Sequence, residues 1–348
     1  MKINFRDEEQ QRYSRQTIFQ GIGREGQEKL TKSKVLIIGC GGLGSVSSEL
    51  LARSGVGLLK IIDRDFLELN NLQRQILFDE EDVKTGFPKA IAAKRKIKKI
   101  NSQIKVEAFI DDVNRFNIEI LLQDVDLVID ATDNFETRFL INEACIKKSK
   151  PWIYGACVEA NGLTMNIIPG KTPCFRCVFE KIPDPGSAPT CEAVGVINPI
   201  VSVIASIQCA EALKILTNNF EQLNKNLLSI DLWKNDMQII DISNVNSGKS
   251  CSVCNYNQFN FLTGKQGTAF TALCGRNAVQ IIPYEKTEMD LLQLSIKISN
   301  FCDPIYNEYY VKMTIDEYEL ITFPDGRTII KGTSDVGIAR GLYAKYIG

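Results

Sequence analysis

Short apolar runs and amphipathic stretches alternate along the first 150 residues. Lys34–Gly39 reads Lys-Val-Leu-Ile-Ile-Gly, a β-branched run suited to a strand buried on both faces. Leu43–Arg53 follows with a helical pattern, and Leu59–Asp63 is a second strand run. Pro88–Ile100 predicts a Lys- and Ala-rich helix whose wet face carries Lys94, Lys96, Lys98 and Lys99. Ile104–Phe109 and Asp126–Ala131 supply two more strands, and Glu136–Lys148 another helix. The alternation predicts an open, mostly parallel sheet with helices on both faces. Ahead of it, residues 1–30 are polar, with a short helix around Glu8–Ile18 followed by an arm.

The pattern changes after Trp152. Trp152–Val158 and Gly162–Ile168 read as strands joined by a turn at Asn161-Gly162. The Pro- and Gly-rich stretch Ile182–Pro189 opposes any regular helix and predicts a mobile loop. A long apolar helix over Pro199–Leu216 comes next, with Ala and Ser permitting close packing. Strands at Leu227–Leu232 and Met237–Ile242 lead into a polar linker, so residues 1–255 form the main domain. Residues 259–348 predict a separate small α/β module. There Tyr318–Phe323 and Arg327–Lys331 flank the hairpin signal Pro324-Asp325-Gly326, and a last helix covers Val336–Tyr346.

Composition narrows the function. The 348 residues are 44% hydrophobic and 24% charged with a formal net charge of -1, as expected for a globular protein. Without a long basic run, a nucleic-acid surface is not expected. No apolar run reads as a bilayer span and the N-terminus lacks a signal-peptide core, so a cytoplasmic location is expected. Eleven cysteines in that setting point to metal ligation or thiol chemistry before disulfides. Histidine is absent, which removes the commonest general base and every His-based triad. Chemistry must then run on carboxylates, cations, cysteines and backbone amides.

Gly39-Cys40-Gly41-Gly42-Leu43-Gly44 places glycines at dinucleotide-type spacing between a strand and a helix. Such glycines permit close phosphate approach to a helix N-terminus. Asp63 ends the next strand, where a carboxylate accepts from ribose hydroxyls, and Asp65 follows it. Alone, this pattern fits nicotinamide and flavin enzymes, other nucleotide binders, or a tight turn with no ligand. Asn71, Arg74, Lys89 and the strand-end pair Asp133-Asn134 change the balance. Ligands of open α/β sheets bind beyond the carboxyl ends of the strands, where Arg74, Lys89 and Asp133 are expected to converge beside the glycine turn. Two cations suit a triphosphate and a strand-end Asp suits magnesium. Each also has a bland reading, a surface cation for Arg74 or Lys89 and a helix N-cap for Asp133.

With these motifs the chain resembles the ThiF/MoeB/HesA adenylyltransferases, relatives of ubiquitin-activating enzymes, over residues 10–255. The resemblance rests on RYSRQ at Arg12–Gln16, GCGGLG at Gly39–Gly44, IIDRDFLELNNLQRQ at Ile61–Gln75 and GFPKA at Gly86–Ala90. DATDNFETR at Asp130–Arg138, PCFRC at Pro173–Cys177 and TCEAVGV at Thr190–Val196 complete it. It implies a Rossmann-like α/β fold, ATP and magnesium, and a homodimer in which Arg15 reaches the partner's ATP. It further implies Asp63 on ribose, Asn71, Arg74 and Lys89 on phosphate, and Asp133 on magnesium. Asn70 stands where the family often has Ser, a small polar departure.

The pairs Cys174-x-x-Cys177 and Cys251-x-x-Cys254 match a tetrahedral structural zinc site, with redox pairs or buried thiols as alternatives. Cys191 lies just past the Pro/Gly-rich stretch and is a candidate nucleophile toward an acyl-adenylate. In the family a cysteine at this position can bond the activated carrier, while an unreactive thiol is the alternative. Cys40, Cys145, Cys157, Cys209, Cys274 and Cys302 read as packing residues.

The implied reaction is adenylation of the C-terminal glycine carboxylate of a ubiquitin-like sulfur carrier ending in Gly-Gly. A cysteine desulfurase is a candidate sulfur donor. The region 259–348 lacks the Cys-containing anion loop of a rhodanese domain. It resembles the extension of some bacterial ThiF-type proteins, which favours thiamine thiazole synthesis over a MoeB-like molybdopterin role. An NAD-dependent oxidoreductase and a non-catalytic carrier-binding scaffold are the readings from other classes.

Overall fold

In a computed structural model, residues 11–182, 194–245, 251–266, 271–273, 277–281 and 289–347 are described. They divide into two compact units, Met1–Gln266 and Gly267–Gly348. The first holds an eight-stranded sheet made of β1 (Lys34–Ile38), β2 (Leu58–Ile62), β3 (Lys105–Phe109), β4 (Leu127–Asp130), β5 (Trp152–Val158), β6 (Asn161–Ile167), β7 (Leu227–Asp231) and β8 (Asp236–Ile240). Their order is β3-β2-β1-β4-β5-β6-β7-β8. β3 through β5 are parallel, and β6, β7 and β8 join antiparallel. The fold is therefore the mixed α/β, Rossmann-like arrangement read from the sequence.

β1 lies at the centre because its side chains are apolar on both faces. Val35 and Ile37 enter one core beside Leu59, Ile61 and Ile129, while Leu36 and Ile38 enter the other beside Ile62 and Val128. Helices Gly42–Arg53, Lys89–Ile100 and Asn198–Leu216 cover the first face, and Ile118–Leu121 and Phe135–Lys147 the second. A strand buried on both sides reads as a continuous apolar run, and β1 was found by that signal.

Three local expectations need correction. Asn161 and Gly162 are not the turn but the start of β6, paired with Val158 and Cys157. Gly162 is required there by packing, since a Cβ would stand 2.3 Å from Ile204. The polar segment after Ile18 is not an arm: Gly23–Lys32 is a helix that buries Leu30. Lastly, helix Asn198–Leu216 is long and apolar enough, by length and composition, to cross a membrane. Here it is a core helix fastened by polar groups. Gln208 Nε2 donates to the carbonyls of Asp130 (2.9 Å) and Ile153 (3.2 Å), and Glu211 Oε2 accepts from Asn166 Nδ2 (2.5 Å).

The second unit has a six-stranded antiparallel sheet: β9 (Thr271–Leu273), β10 (Ala278–Ile281), β11 (Ile305–Tyr306), β12 (Val311–Ile315), β13 (Tyr318–Thr322) and β14 (Thr328–Lys331), in the order β11-β12-β13-β14-β10-β9. Helices Leu291–Ile298 and Val336–Tyr346 share its core with Val279, Val311, Met313, Leu320 and Ile330. The hairpin signal is met at Gly326, whose φ is +79° and whose N–H returns to the Phe323 carbonyl. Phe259, Phe261 and Leu262 pack in the first unit, where the Glu143 carboxylate accepts from the N–H groups of Phe261 (2.8 Å) and Leu262 (3.0 Å).

Candidate active site and four-cysteine cluster

The glycine turn sits between the end of β1 and helix Gly42–Arg53, at the carboxyl end of the parallel strands. Gly39 has a φ of +90°, and a Cβ there would stand 2.6 Å from the Ala131 carbonyl oxygen. A Cβ on Gly44 would lie 2.0 Å from the Gly39 carbonyl oxygen. Both positions demand glycine for different reasons, backbone conformation at the first and close approach at the second. On Gly42 a Cβ would meet Val201 at 2.8 Å, whereas the side of Gly41 faces Gln75 Nε2 at 3.9 Å. No side chain caps helix Gly42–Arg53, so its first N–H groups and its dipole remain available to an anion.

Acids and cations gather around this turn. Asp63 Oδ2 accepts from the Cys40 N–H at 2.6 Å, and its Oδ1 accepts from the Asp65 N–H at 2.7 Å. Burial raises the Asp63 pKa, and the Lys89 ammonium opposes that rise. Lys89 is itself buried and pairs with Asp65 Oδ2 at 3.3 Å. The two acids compensate a cation that has left water. Arg74 lies near Gly42 and donates to the Asn70 carbonyl at 3.0 Å. Asn71 is buried and closes a one-turn helix, its Oδ1 accepting from the Glu68 N–H and its Nδ2 donating to Asn70 Oδ1. The Asn that replaces the family's usual Ser therefore has a structural partner.

Asp133 follows β4, one residue beyond the segment that backs onto Gly39. The N-cap role open to it belongs instead to Asn134, whose Oδ1 accepts from the Thr137 N–H at 2.9 Å. That leaves the Asp133 carboxylate exposed, with a 3.5 Å contact to Asn134 Nδ2. Its hard oxygen donors fit magnesium. Gly39–Gly44, Asp63, Asp65, Arg74, Lys89 and Asp133 are thus brought to one end of the sheet. Arg15 is not part of that cluster: it is exposed on helix Ser14–Ile18. The expected mobile loop and Cys191 lie outside the described residues, as does Cys274.

The two cysteine pairs come together. Cys174 Sγ lies 3.7 Å from Cys251 Sγ, and Cys177 Sγ lies 3.6 Å from Cys174 and 3.5 Å from Cys254. All four sulfurs fall within 4.8 Å of one another. Tetrahedral zinc with Zn–S bonds of about 2.3 Å requires S···S spacings of about 3.8 Å, so the set fits such an ion. Asn142 orients one pair, accepting from the Phe175 N–H at 2.9 Å and donating to Cys174 Sγ at 3.6 Å. Among the remaining cysteines, burial pushes the thiols of Cys40 and Cys145 up and that of Cys209 up to about 12. Such thiols stay protonated and pack, as expected.

Asn142, Gln75 and the buried pair Asp130–Arg138 carry structural weight that the sequence reading missed. Asp130 and Arg138 bound the motif DATDNFETR, whose likeness to the family and whose Asp133-Asn134 pair alone enter the sequence reading. A carboxylate and a guanidinium eight positions apart, across a strand end and a helix start, were the available signal.

Comparison with known proteins gives the family. The chain is 41% identical over 338 residues to the Sulfur carrier protein ThiS adenylyltransferase of Bacillus subtilis (strain 168), covering 97% of this chain and 99% of that one. It is 35% identical to the Sulfur carrier protein adenylyltransferase of Thermus thermophilus, covering 77% of this chain and 97% of that one. Among solved structures, E. coli MccB with MccA-N7isoAsn aligns with a TM-score of 0.61 and 28% identity, covering 70% of this chain and 74% of that one. The ThiF family pattern matches residues 13–253, and on that match the chain belongs to the ThiF family.

Proposed function

We propose that this chain adenylates the C-terminal glycine carboxylate of a ThiS-like sulfur carrier with ATP, for thiazole formation in thiamine synthesis. The observation that carries the reading is the convergence of a glycine turn, two cations and three aspartates at one sheet end. It occurs in a chain alignable almost end to end with a named ThiS adenylyltransferase.

A carrier carboxylate oxygen attacks the α-phosphorus of ATP, the new O–P bond forms, and pyrophosphate leaves with the electrons of the broken bond. The carboxylate is ionised at neutral pH, so the step needs no general base and the missing histidine is no obstacle. Asp63 holds ribose, Asn71, Arg74 and Lys89 hold phosphate oxygens, and the two cations Arg74 and Lys89 neutralise the charge that grows on the leaving group. Asp133 would hold the magnesium ion of MgATP, which adds charge neutralisation at the phosphates. Cys174, Cys177, Cys251 and Cys254 would hold zinc, whose binding free energy contributes to folding. Arg15 would complete the phosphate site from the second subunit of a homodimer. Sulfur would come from a cysteine desulfurase or a similar donor, and the cytoplasm is the proposed location.

Exchange of labelled pyrophosphate into ATP tests the reaction and the partner together. Exchange is expected with a ThiS-like carrier and to vanish when its C-terminal glycine is removed. Greater exchange with a MoaD-like carrier would move the protein to the molybdopterin route. Nicotinamide turnover without exchange would overturn adenylation.

The thiol step makes a separate prediction. Cys191→Ser should keep the exchange rate within about twofold, since adenylation needs no thiol, yet lose any covalent carrier adduct seen by intact mass. A full-strength adduct in that variant would place the linkage elsewhere.

A further inference from the structure

Thr132, the residue before Asp133, is held from two sides by buried charges. Asp130 Oδ1 accepts both the Thr132 N–H (2.9 Å) and its Oγ1–H (2.6 Å). The Arg138 guanidinium donates to the Thr132 carbonyl at 2.6 Å and to the Gly155 carbonyl at 3.3 Å. Asp130 and Arg138 are 0% and 5% exposed, and Arg138 Nε stands 3.3 Å from Asp130 Oδ2. The guanidinium also lies 5.2 Å from the Tyr154 ring centre and 5.5 Å from that of Phe135. All three polar backbone and hydroxyl groups of Thr132 are thereby engaged.

The gripped segment is the one that touches the nucleotide turn. A Cβ on Gly39 would stand 2.6 Å from the Ala131 carbonyl oxygen and 3.4 Å from the Thr132 nitrogen. Fixing Thr132 therefore fixes the short backbone segment that passes Gly39 and leads into Asp133. Stability gives little reason for such a pair, because well-packed apolar residues of similar volume often serve a core as well or better. Directional hold on one backbone position is what charges supply and apolar groups cannot.

We propose that Asp130 and Arg138 are positioning residues that set the Asp133 carboxylate against the glycine turn through Thr132. The proposal rests on the adenylation reading above. It assigns the pair no contact with substrate.

Thr132→Val is the principal test, because it keeps shape and both charges while deleting the Oγ1–H donor. Arg138→Lys is the second, keeping charge but losing the planar fork. Each full-length variant is measured for melting temperature, for Mn2+ affinity of its complex with a non-hydrolysable ATP analogue, and for pyrophosphate exchange. Thr132→Val is expected to weaken Mn2+ binding about fivefold, the worth of one hydrogen bond, and to lower the exchange kcat similarly with the KM for ATP unchanged at saturating metal. Arg138→Lys should show a larger shift of the same kind. Unaltered Mn2+ affinity and kcat in folded Thr132→Val overturns the proposal, including when its melting temperature falls, since that outcome marks a purely structural contact. Asp133→Ala, run alongside, separates the two levels. If it is inactive while Thr132→Val behaves as wild type, only the positioning role fails; if it exchanges normally, Asp133 has no part in the reaction and the role assigned to it in the adenylation reading fails as well.

Discussion

Asp133→Ala is expected to lower ATP–pyrophosphate exchange by at least about 100-fold, the scale of losing one preorganised electrostatic group at a reacting centre. The fold should barely notice. The carboxylate is exposed, and the neighbouring Asn134 caps helix Phe135–Lys147 in its place. A surface change of that kind shifts stability by about 0.5 kcal/mol or less. Asp130→Ala provides the contrast three residues earlier. It would strand the Arg138 guanidinium in the core at a cost of about 3–5 kcal/mol. Exchange and thermal unfolding measured on both variants separate a chemical loss from a folding loss. Wild-type exchange in Asp133→Ala would remove the residue from the reaction.

Stripping the zinc proposed for the four-cysteine cluster, or replacing Cys251 with Ser, is expected to lower the melting temperature by about 10 °C or more. The cluster joins positions 77 residues apart. Closing a loop of that length removes on the order of 4 kcal/mol of chain entropy from the unfolded state. One kilocalorie moves the midpoint of a domain this size by about 2–4 °C. The loss should spread beyond the sulfurs. Phe175, between two of the cysteines, packs against Phe139 at 5.1 Å and Phe179 at 4.6 Å, and its N–H is held by Asn142. Differential scanning calorimetry with bound-metal analysis checks this. A fully demetallated protein that melts with the wild type would show the four thiols to be ordinary packing.

Why some features were legible and others not follows from how many residues specify each. β1 and the glycine turn announce themselves locally, through a β-branched run and through positions where a Cβ cannot fit. The cysteine cluster was legible because coordination chemistry demands a spacing that packing does not. Asn161-Gly162 misled, since the same dipeptide that favours a turn also answers a close approach by Ile204, which only the tertiary fold reveals. Helix Gly23–Lys32 was hidden by its polarity: Leu30 is the one large apolar side chain among the three residues it buries, the others being Gly26 and Gln27. Arg138 enters the sequence reading only as the end of a motif, because nothing local tells a guanidinium buried against Asp130 from one in water.

The order of the residues along the chain has a consequence for synthesis. β1 to β4, the glycine turn, Asp63, Arg74, Lys89 and Asp133 all emerge before Lys147. Val201, which lies against Gly42, and the cysteines at 251 and 254 emerge only in the second half of this unit. A growing chain therefore carries a nearly complete nucleotide centre before the helix that covers it exists. During that interval the edge of β4 that pairs with β5 and the face of helix Gly42–Arg53 that packs on Ile200, Val201 and Ile204 lack their later partners, the kind of exposed apolar surface that invites misassembly while a chain is still growing.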